Sequence, residues 1–237
     1  MKGMIFAAGL GTRFKPWTDK HPKALALVNG KTLLQRAIEY LQQYGIREIV
    51  VNVHHFADQV EEVLEKNKGW GARIHVSDER DELLDTGGGM LKAKEWLQTG
   101  TFLTLNVDIL SDANLKDFLV EHQQDNAVIT LATSDRDSSR KLLFNKYDRL
   151  CGWRNKSTGE EKLVLEAKDY FEKAYSGIAL FEPQVFALTK LSGKFSLIDL
   201  YLELAHDNKI SSYDHSGSLL LDVGKPGSVE EAERIFA

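Results

Sequence analysis

The sequence predicts an α/β protein: a doubly wound mixed sheet with a small antiparallel insertion. Three observations carry that expectation. Short apolar runs rich in β-formers alternate with amphipathic stretches of helical spacing along most of the chain. A glycine-rich turn follows directly on the first such run, Met4-Ile5-Phe6. The chain has 237 residues, 43% of them hydrophobic, which suffices for a sizeable core. We expect residues 1–237 to form a single domain, with residues 134–173 as an insertion within it.

Each element has its own signal. Met4 to Phe6 is a short buried strand. Thr32 to Tyr44 sets Leu33, Leu34, Ala37, Ile38 and Leu41 on one helical face, and Gly45 follows where a helix end favours glycine. Glu48 to Val53 reads as a buried strand, Ala57 to Lys66 as a second amphipathic helix and Ala72 to Val76 as a strand. Met90 to Leu97 is helical and Thr101 to Leu105 is a core strand. Asn114 to Gln124 and Ala127 to Ala132 repeat the helix–strand pair. From Ser134 to Lys173 the alternation breaks. Leu142-Leu143-Phe144 and Leu163-Val164-Leu165 lie between charged turns, the pattern of antiparallel hairpins. Strand Tyr175 to Phe181, helix Leu197 to His206, strand Leu219 to Leu221 and helix Val229 to Phe236 complete the series.

Composition narrows the function. A net charge of −5 disfavours a nucleic-acid partner but leaves room for a local basic pocket. The single cysteine, Cys151, excludes an intramolecular disulfide and suits a reducing cytoplasm. No apolar run is long enough for a signal peptide or a bilayer span, so no membrane partner is expected. The oligomeric state stays open between monomer and dimer.

The chemistry concentrates in a few places. In Ala7-Ala8-Gly9-Leu10-Gly11-Thr12-Arg13 the glycines can turn sharply and present backbone N–H groups to an anion. Arg13 and Lys23, the latter in Pro22-Lys23, add two cations beside that turn. A dinucleotide loop is disfavoured, because Phe14 stands where its third glycine would be and Pro16 and Pro22 forbid the helix that follows it. The P-loop pattern is absent. Asp108 follows the apolar run 102–105 and Asp222 follows 219–221. Ligands of open α/β sheets bind outside the carboxyl ends of strands, where two carboxylates could hold one Mg²⁺. Singly, each aspartate reads as a turn cap. Asp85-Thr86-Gly87-Gly88-Gly89 lies between a strand and the helix from Met90, a helix N-terminus that favours anions. Asn52, at a strand end, reads equally as a ligand contact or a buried turn partner. His54, His55 and His75 lack a third metal ligand, and Cys151 lacks a catalytic partner.

These strings resemble the sugar-1-phosphate nucleotidyltransferases, whose signature is an apolar strand, A-A-G-x-G-T-R, then a loop ending in P-K. Later motifs follow in the family's order. Asn106-Val107-Asp108 stands for its N-G-D, with valine as a departure that adds bulk near the sugar. Leu221-Asp222-Val223-Gly224 stands for V-D-V-G or L-D-T-G, and Thr86 to Gly89 gives T-G-G-G. The resemblance implies a Rossmann-like nucleotidyltransferase fold with the 134–173 insertion on the sugar side. It implies catalytic Arg13 and Lys23, on the β,γ- and α-phosphates respectively. It implies nucleotide contacts at Ala8, Gly9, Gly11, Thr12, Gly87 and Gly88, sugar contacts at Asn106 and Gly177, and Mg²⁺ on Asp108 and Asp222. The family's E-K-P lysine has only imperfect matches, at Glu166-Ala167-Lys168 and Glu172-Lys173-Ala174, and stays unassigned. Trp153 reads as a packing residue, or as a sugar platform if it faces solvent.

The implied reaction joins an NTP to a sugar 1-phosphate, giving an NDP-sugar and pyrophosphate. UTP with an N-acetylmuramate-like 1-phosphate is the first expectation. GTP with mannose or heptose 1-phosphate and CTP with phosphocholine are the alternatives within the class. An NDP-sugar-dependent glycosyltransferase or a silent sensor would have no use for Arg13 and Lys23 set to hold a leaving pyrophosphate. Two further expectations follow. Lys23, in a punctuated loop, should be replaceable without harm to the fold. A bulkier residue at Gly88 should act on nucleotide affinity.

Overall fold

Met4 and Ile5 have no exposed surface, so the first apolar run must sit at the centre of a sheet covered on both faces. In the computed structural model, which describes residues 1–236, that run is β1 (Lys2–Phe6). A ribbon of β2 (Leu27–Val28) and β3 (Lys31–Thr32) leads into α1 (Leu33–Gln43), capped by the Thr32 hydroxyl. The chain continues through β4 (Glu48–Val53), α2 (Ala57–Lys66), β5 (Arg73–Asp78), α3 (Asp85–Lys92) and α4 (Lys94–Leu97). Next come β6 (Phe102–Asn106), β7 (Ile109–Ser111), α5 (Leu115–Asp125) and β8 (Ile129–Ser134). The insertion supplies β9 (Arg140–Phe144), β10 (Leu150–Asn155) and β11 (Glu160–Leu163), and the long β12 (Phe171–Phe181) returns from it. The chain then runs through α6 (Val185–Leu188), α7 (Leu197–Ala205), β13 (Ile210–Asp214), β14 (Leu220–Asp222) and α8 (Gly227–Ile235).

The main sheet runs β5-β4-β1-β6-β12-β8-β13, with β12 antiparallel to its neighbours and the rest parallel. The chain steps from β1 outward to β4 and β5, then crosses back to β6 on the other side of β1. That reversal opens a crevice at the carboxyl ends of β1 and β6. Side chains of β1 alternate between two cores. Ile5 joins Leu34, Ile38, Val60 and Phe118 on one face. Met4 and Phe6 join Met90, Leu97, Leu200 and Tyr201 on the other.

β12 belongs to two layers. Its end, Ile178–Phe181, pairs with β6, while Phe171–Lys173 pairs with β9 of the antiparallel β9-β10-β11 layer. The bend falls at Gly177, in the left-handed region at φ 75°, where the pairing with β8 shifts register. Among the described residues, no helix is long and apolar enough to cross a membrane.

Among the elements that differ from expectation, three are instructive. The helix expected from Met90 starts at Asp85, so the glycine triplet lies inside its first turns. β13 was hidden by its serines, Ser211 and Ser212, which are buried all the same. β7 is only three residues long, below what an apolar run reveals.

Candidate active site

The crevice is built first by the loop after β1. Ala7 and Ala8 donate their N–H groups to Asn52 Oδ1 at 2.8 and 3.3 Å. Asn52 Nδ2 in turn donates to Glu79 Oε1 at 2.7 Å, and Glu79 Oε2 accepts from Leu84 N at 3.1 Å. Glu79 has no exposed surface, and burial pushes its pKa up against the pull of those two donors. Asn52 is thus a buried turn partner that also lines the crevice. Past Ala8 the prolines break the chain into three short turns, Thr12–Phe14, Trp17–Asp19 and Lys23–Leu25. Gly11 opens the first at φ 58°, and a Cβ there would lie 2.8 Å from Thr18 Cγ2 and 3.1 Å from Lys23 Cβ. Lys23 is not a surface cation. It is 9% exposed and its ammonium pairs with Asp108, which argues against the expectation that it is dispensable to the fold.

A second device brings the two aspartates together. β14 pairs with β7, placing Asp222 opposite Ile109, and Val223 N donates to Asp108 O at 2.8 Å. Gly224 leaves space for this meeting, since a Cβ there would sit 2.8 Å from Asp222 Oδ1 and 3.2 Å from Arg13 Nη2. The surrounding protein atoms, and then the Asp108 charge, push the Asp222 carboxyl pKa up, against Lys23 and Arg13. Among the described residues no group of three or more His, Cys, Asp or Glu is placed to hold a metal ion. Two carboxylates completed by phosphate oxygens and water are nonetheless an ordinary donor set for a hard divalent cation. The β7–β14 ribbon sets Asp108 and Asp222 beside Lys23 and Arg13, where that carboxylate pair would fit such an ion.

Two clefts meet here. The first, of about 480 Å³, is lined by Ala8, Gly9, Gly11, Thr12, Arg13, Lys23, Asn106 and Asp108, together with Asp85, Thr86 and Lys194. The second, of about 610 Å³, shares Arg13 with the first and is lined further by Asp222, Arg136, Lys141, Trp153 and Tyr175. Arg13 lines both. Trp153 therefore faces a cleft, with the Lys162 ammonium 5.8 Å over its ring.

Three of the expected glycine contacts are replaced by others. Gly87 and Gly88 do not line either cleft. Both donate N–H to Phe195 O, at 3.0 and 3.2 Å, and a Cβ on Gly88 would lie 2.2 Å from Gly193 O. Their lack of side chains lets α3 pack against residues 193–196. Gly177 likewise makes room for protein: its Cβ would meet Ile109 Cγ1 at 2.8 Å and Asn106 Nδ2 at 3.0 Å. Neither Lys168 nor Lys173 lines either of these two clefts, and Lys173 is held by Ser212 at 3.0 Å and Asp214 at 3.5 Å. Glu79, Gly224, Arg136 and Lys141 were not singled out by sequence. Only Gly224, inside the L-D-V-G string, carried a signal.

A glycine-rich anion loop at the switch point of an α/β sheet, facing paired carboxylates, defines a protein that works on nucleotides. Comparison with known proteins gives the class its name. A family model described as nucleotidyl transferase matches residues 2–144. The N-acetylmuramate alpha-1-phosphate uridylyltransferase of Caulobacter vibrioides is 33% identical, over 99% of this chain and 96% of its own. The mannose-1-phosphate guanyltransferase beta-A of Xenopus laevis is 26% identical, over 95% of this chain and 62% of its own. HddC from Yersinia pseudotuberculosis, in a crystal structure with GMP-PN, superposes with a TM-score of 0.80 at 20% identity, over 100% of this chain and 99% of that one. The chain belongs to the nucleotidyl transferase family, and its enzymatic class is that of the sugar-1-phosphate nucleotidyltransferases.

Proposed function

We propose that this enzyme transfers a uridylyl group from UTP to an N-acetylmuramate-like 1-phosphate with Mg²⁺, releasing pyrophosphate. The observation that carries the reading is the meeting of the two clefts at Arg13, with Asp222 on the wall of the second. A donor in one and an acceptor in the other would bring their phosphates together at that junction. The near full-length similarity to the Caulobacter uridylyltransferase supports the choice of substrates.

The acceptor phosphate is already an anion, so no general base is required. One of its oxygens attacks the α-phosphorus, the bond to the bridging α–β oxygen breaks, and pyrophosphate leaves with that electron pair. What the protein must supply is positioning and compensation of charge. Backbone N–H groups of the Gly9–Thr12 loop cradle the triphosphate, and the Arg13 guanidinium clamps the β- and γ-phosphates. Lys23, which rests against Asp108, gives its ammonium to the α-phosphate. Asp108 and Asp222 would hold Mg²⁺, which supplies further neutralisation of phosphate charge. Gly87 and Gly88 act one step back, by seating residues 193–196, so that Lys194 reaches the nucleotide cleft.

A matrix of UTP, GTP, CTP and dTTP against N-acetylmuramate, mannose, heptose and glucose 1-phosphates, scored by pyrophosphate release, tests this. The UTP and N-acetylmuramate pair should give the highest kcat/KM. A maximum at GTP with a mannose or heptose phosphate would replace the substrate assignment and leave the class intact.

A further inference from the structure

The second cleft holds more positive charge than one phosphate requires. Arg13, Arg136, Arg140 and Lys141 all line it, and among the described residues none of the four makes an ion pair, in a chain whose net charge is −5. Lys141 is the sharpest case. It is 8% exposed, yet its ammonium meets only the Arg136 carbonyl, at 2.9 Å. Buried charges are ordinarily paired, so an ammonium left with two free N–H groups at a cleft wall calls for an anion from outside the chain. Arg136 repeats the pattern. Its Nη2 donates to Tyr175 O at 2.9 Å, while its Nε is buried with no acceptor. The two cations are tied to each other through the 136 carbonyl, one in the loop after β8 and one on β9. Leu142, Trp153 and Ile198 give the same cleft apolar walls, as the face of a sugar ring needs.

We propose that Lys141 and Arg136 seat a second acidic group of the acceptor, a carboxylate carried on the sugar, while its phosphate lies at the Arg13 junction. The substrate class is then an acidic sugar 1-phosphate. This rests on the reading of the chain as a transferase to sugar 1-phosphates, and it assigns discrimination between acidic and neutral sugars to two residues that serve no step of the transfer itself.

N-acetylmuramate 1-phosphate and N-acetylglucosamine 1-phosphate differ by the carboxylate-bearing lactyl ether and are the pair to compare, at saturating UTP and Mg²⁺. The wild-type enzyme should favour the acidic acceptor through KM, by about tenfold to a hundredfold, the range of a hydrogen bond to a charged group. Lys141→Gln and Arg136→Gln should each erase most of that ratio while kcat for the neutral acceptor holds. Lys141→Arg should restore part of it. A purely structural role would lower turnover of both acceptors together and leave the ratio unmoved, as would a role on the phosphate they share. Either result, or a wild-type enzyme indifferent to the carboxylate, overturns the proposal. Should Lys141→Gln fail to fold, Arg136→Gln in the half-buried loop carries the test. Calorimetric binding of the two sugar phosphates without nucleotide separates the layers: preference for the acidic sugar without turnover of either removes the functional reading alone, and turnover without preference removes the carboxylate seat alone.

Discussion

At the scale of single residues, Asp222 sets chemistry against stability. Its raised native pKa means that the metal-free native state holds the proton more tightly than the unfolded chain does. The group therefore favours folding below the ordinary carboxylate range, and that contribution is lost as pH rises through the raised value. Asp222→Asn should lower kcat about 10²- to 10³-fold, the cost of one charge-stabilising group. Without divalent metal, its melting temperature at pH 7 should equal or exceed the wild type's, the gap closing as pH falls to about 4, the ordinary aspartate range. Paired melting curves at the two pH values check this. Lys23 behaves oppositely. Lys23→Ala strips the partner from an Asp108 side chain that is only 22% exposed, and should cost about 1–3 kcal/mol besides abolishing turnover. Adding Asp108→Asn should recover much of that stability and none of the activity, which urea unfolding of the four members of the cycle would read. Arg13, Lys23, Asp108 and Asp222 were legible in sequence because motif spacing names residue types. The Lys23–Asp108 pair was not, because loop punctuation says nothing about whether a loop folds inward.

At the scale of elements, glycine makes the lesson concrete. Gly9 and Gly88 look alike in the sequence, each within a glycine-rich string. A Cβ on Gly9 meets nothing within 4 Å, whereas one on Gly88 runs into Gly193 O. Gly88→Ala should therefore destabilise the joint between α3 and residues 193–196 by about 1–3 kcal/mol, an overpacking cost, with KM for nucleotide shifting only as a consequence. Gly9→Ala should leave the melting temperature nearly unchanged and raise that KM directly. Differential scanning calorimetry beside steady-state kinetics separates the two. Long, periodic elements such as α1, α2 and β4 were readable to within a residue or two, since burial on one or both faces writes a pattern. β13 and β7 were unreadable for opposite reasons: one buries serines, and the other is too short to hold a period.

At the scale of the whole molecule, the crevice couples ligand to fold. A ligand that binds only the native state at a hundred times its Kd adds about 2.7 kcal/mol. For a chain of this size each kcal/mol raises the melting temperature by about 2–4 °C. UTP with Mg²⁺ should thus shift melting upward by about 5–11 °C, and GTP and CTP at equal concentration by less; the same ranking from a thermal-shift titration checks it. Doubly wound topology was legible from alternation alone. The splitting of β12 between two layers was not, because one continuous apolar strand gives no sign of changing partners midway.

The β7–β14 ribbon also has a history in time. Asp108 and Asp222 are more than a hundred residues apart in the chain yet adjacent in the ribbon. At about 5–20 residues per second, the ribosome emits the first several seconds before the second. Until β14 is made the chain lacks Asp222, so on the proposed reading a nascent chain cannot complete the carboxylate pair at the crevice.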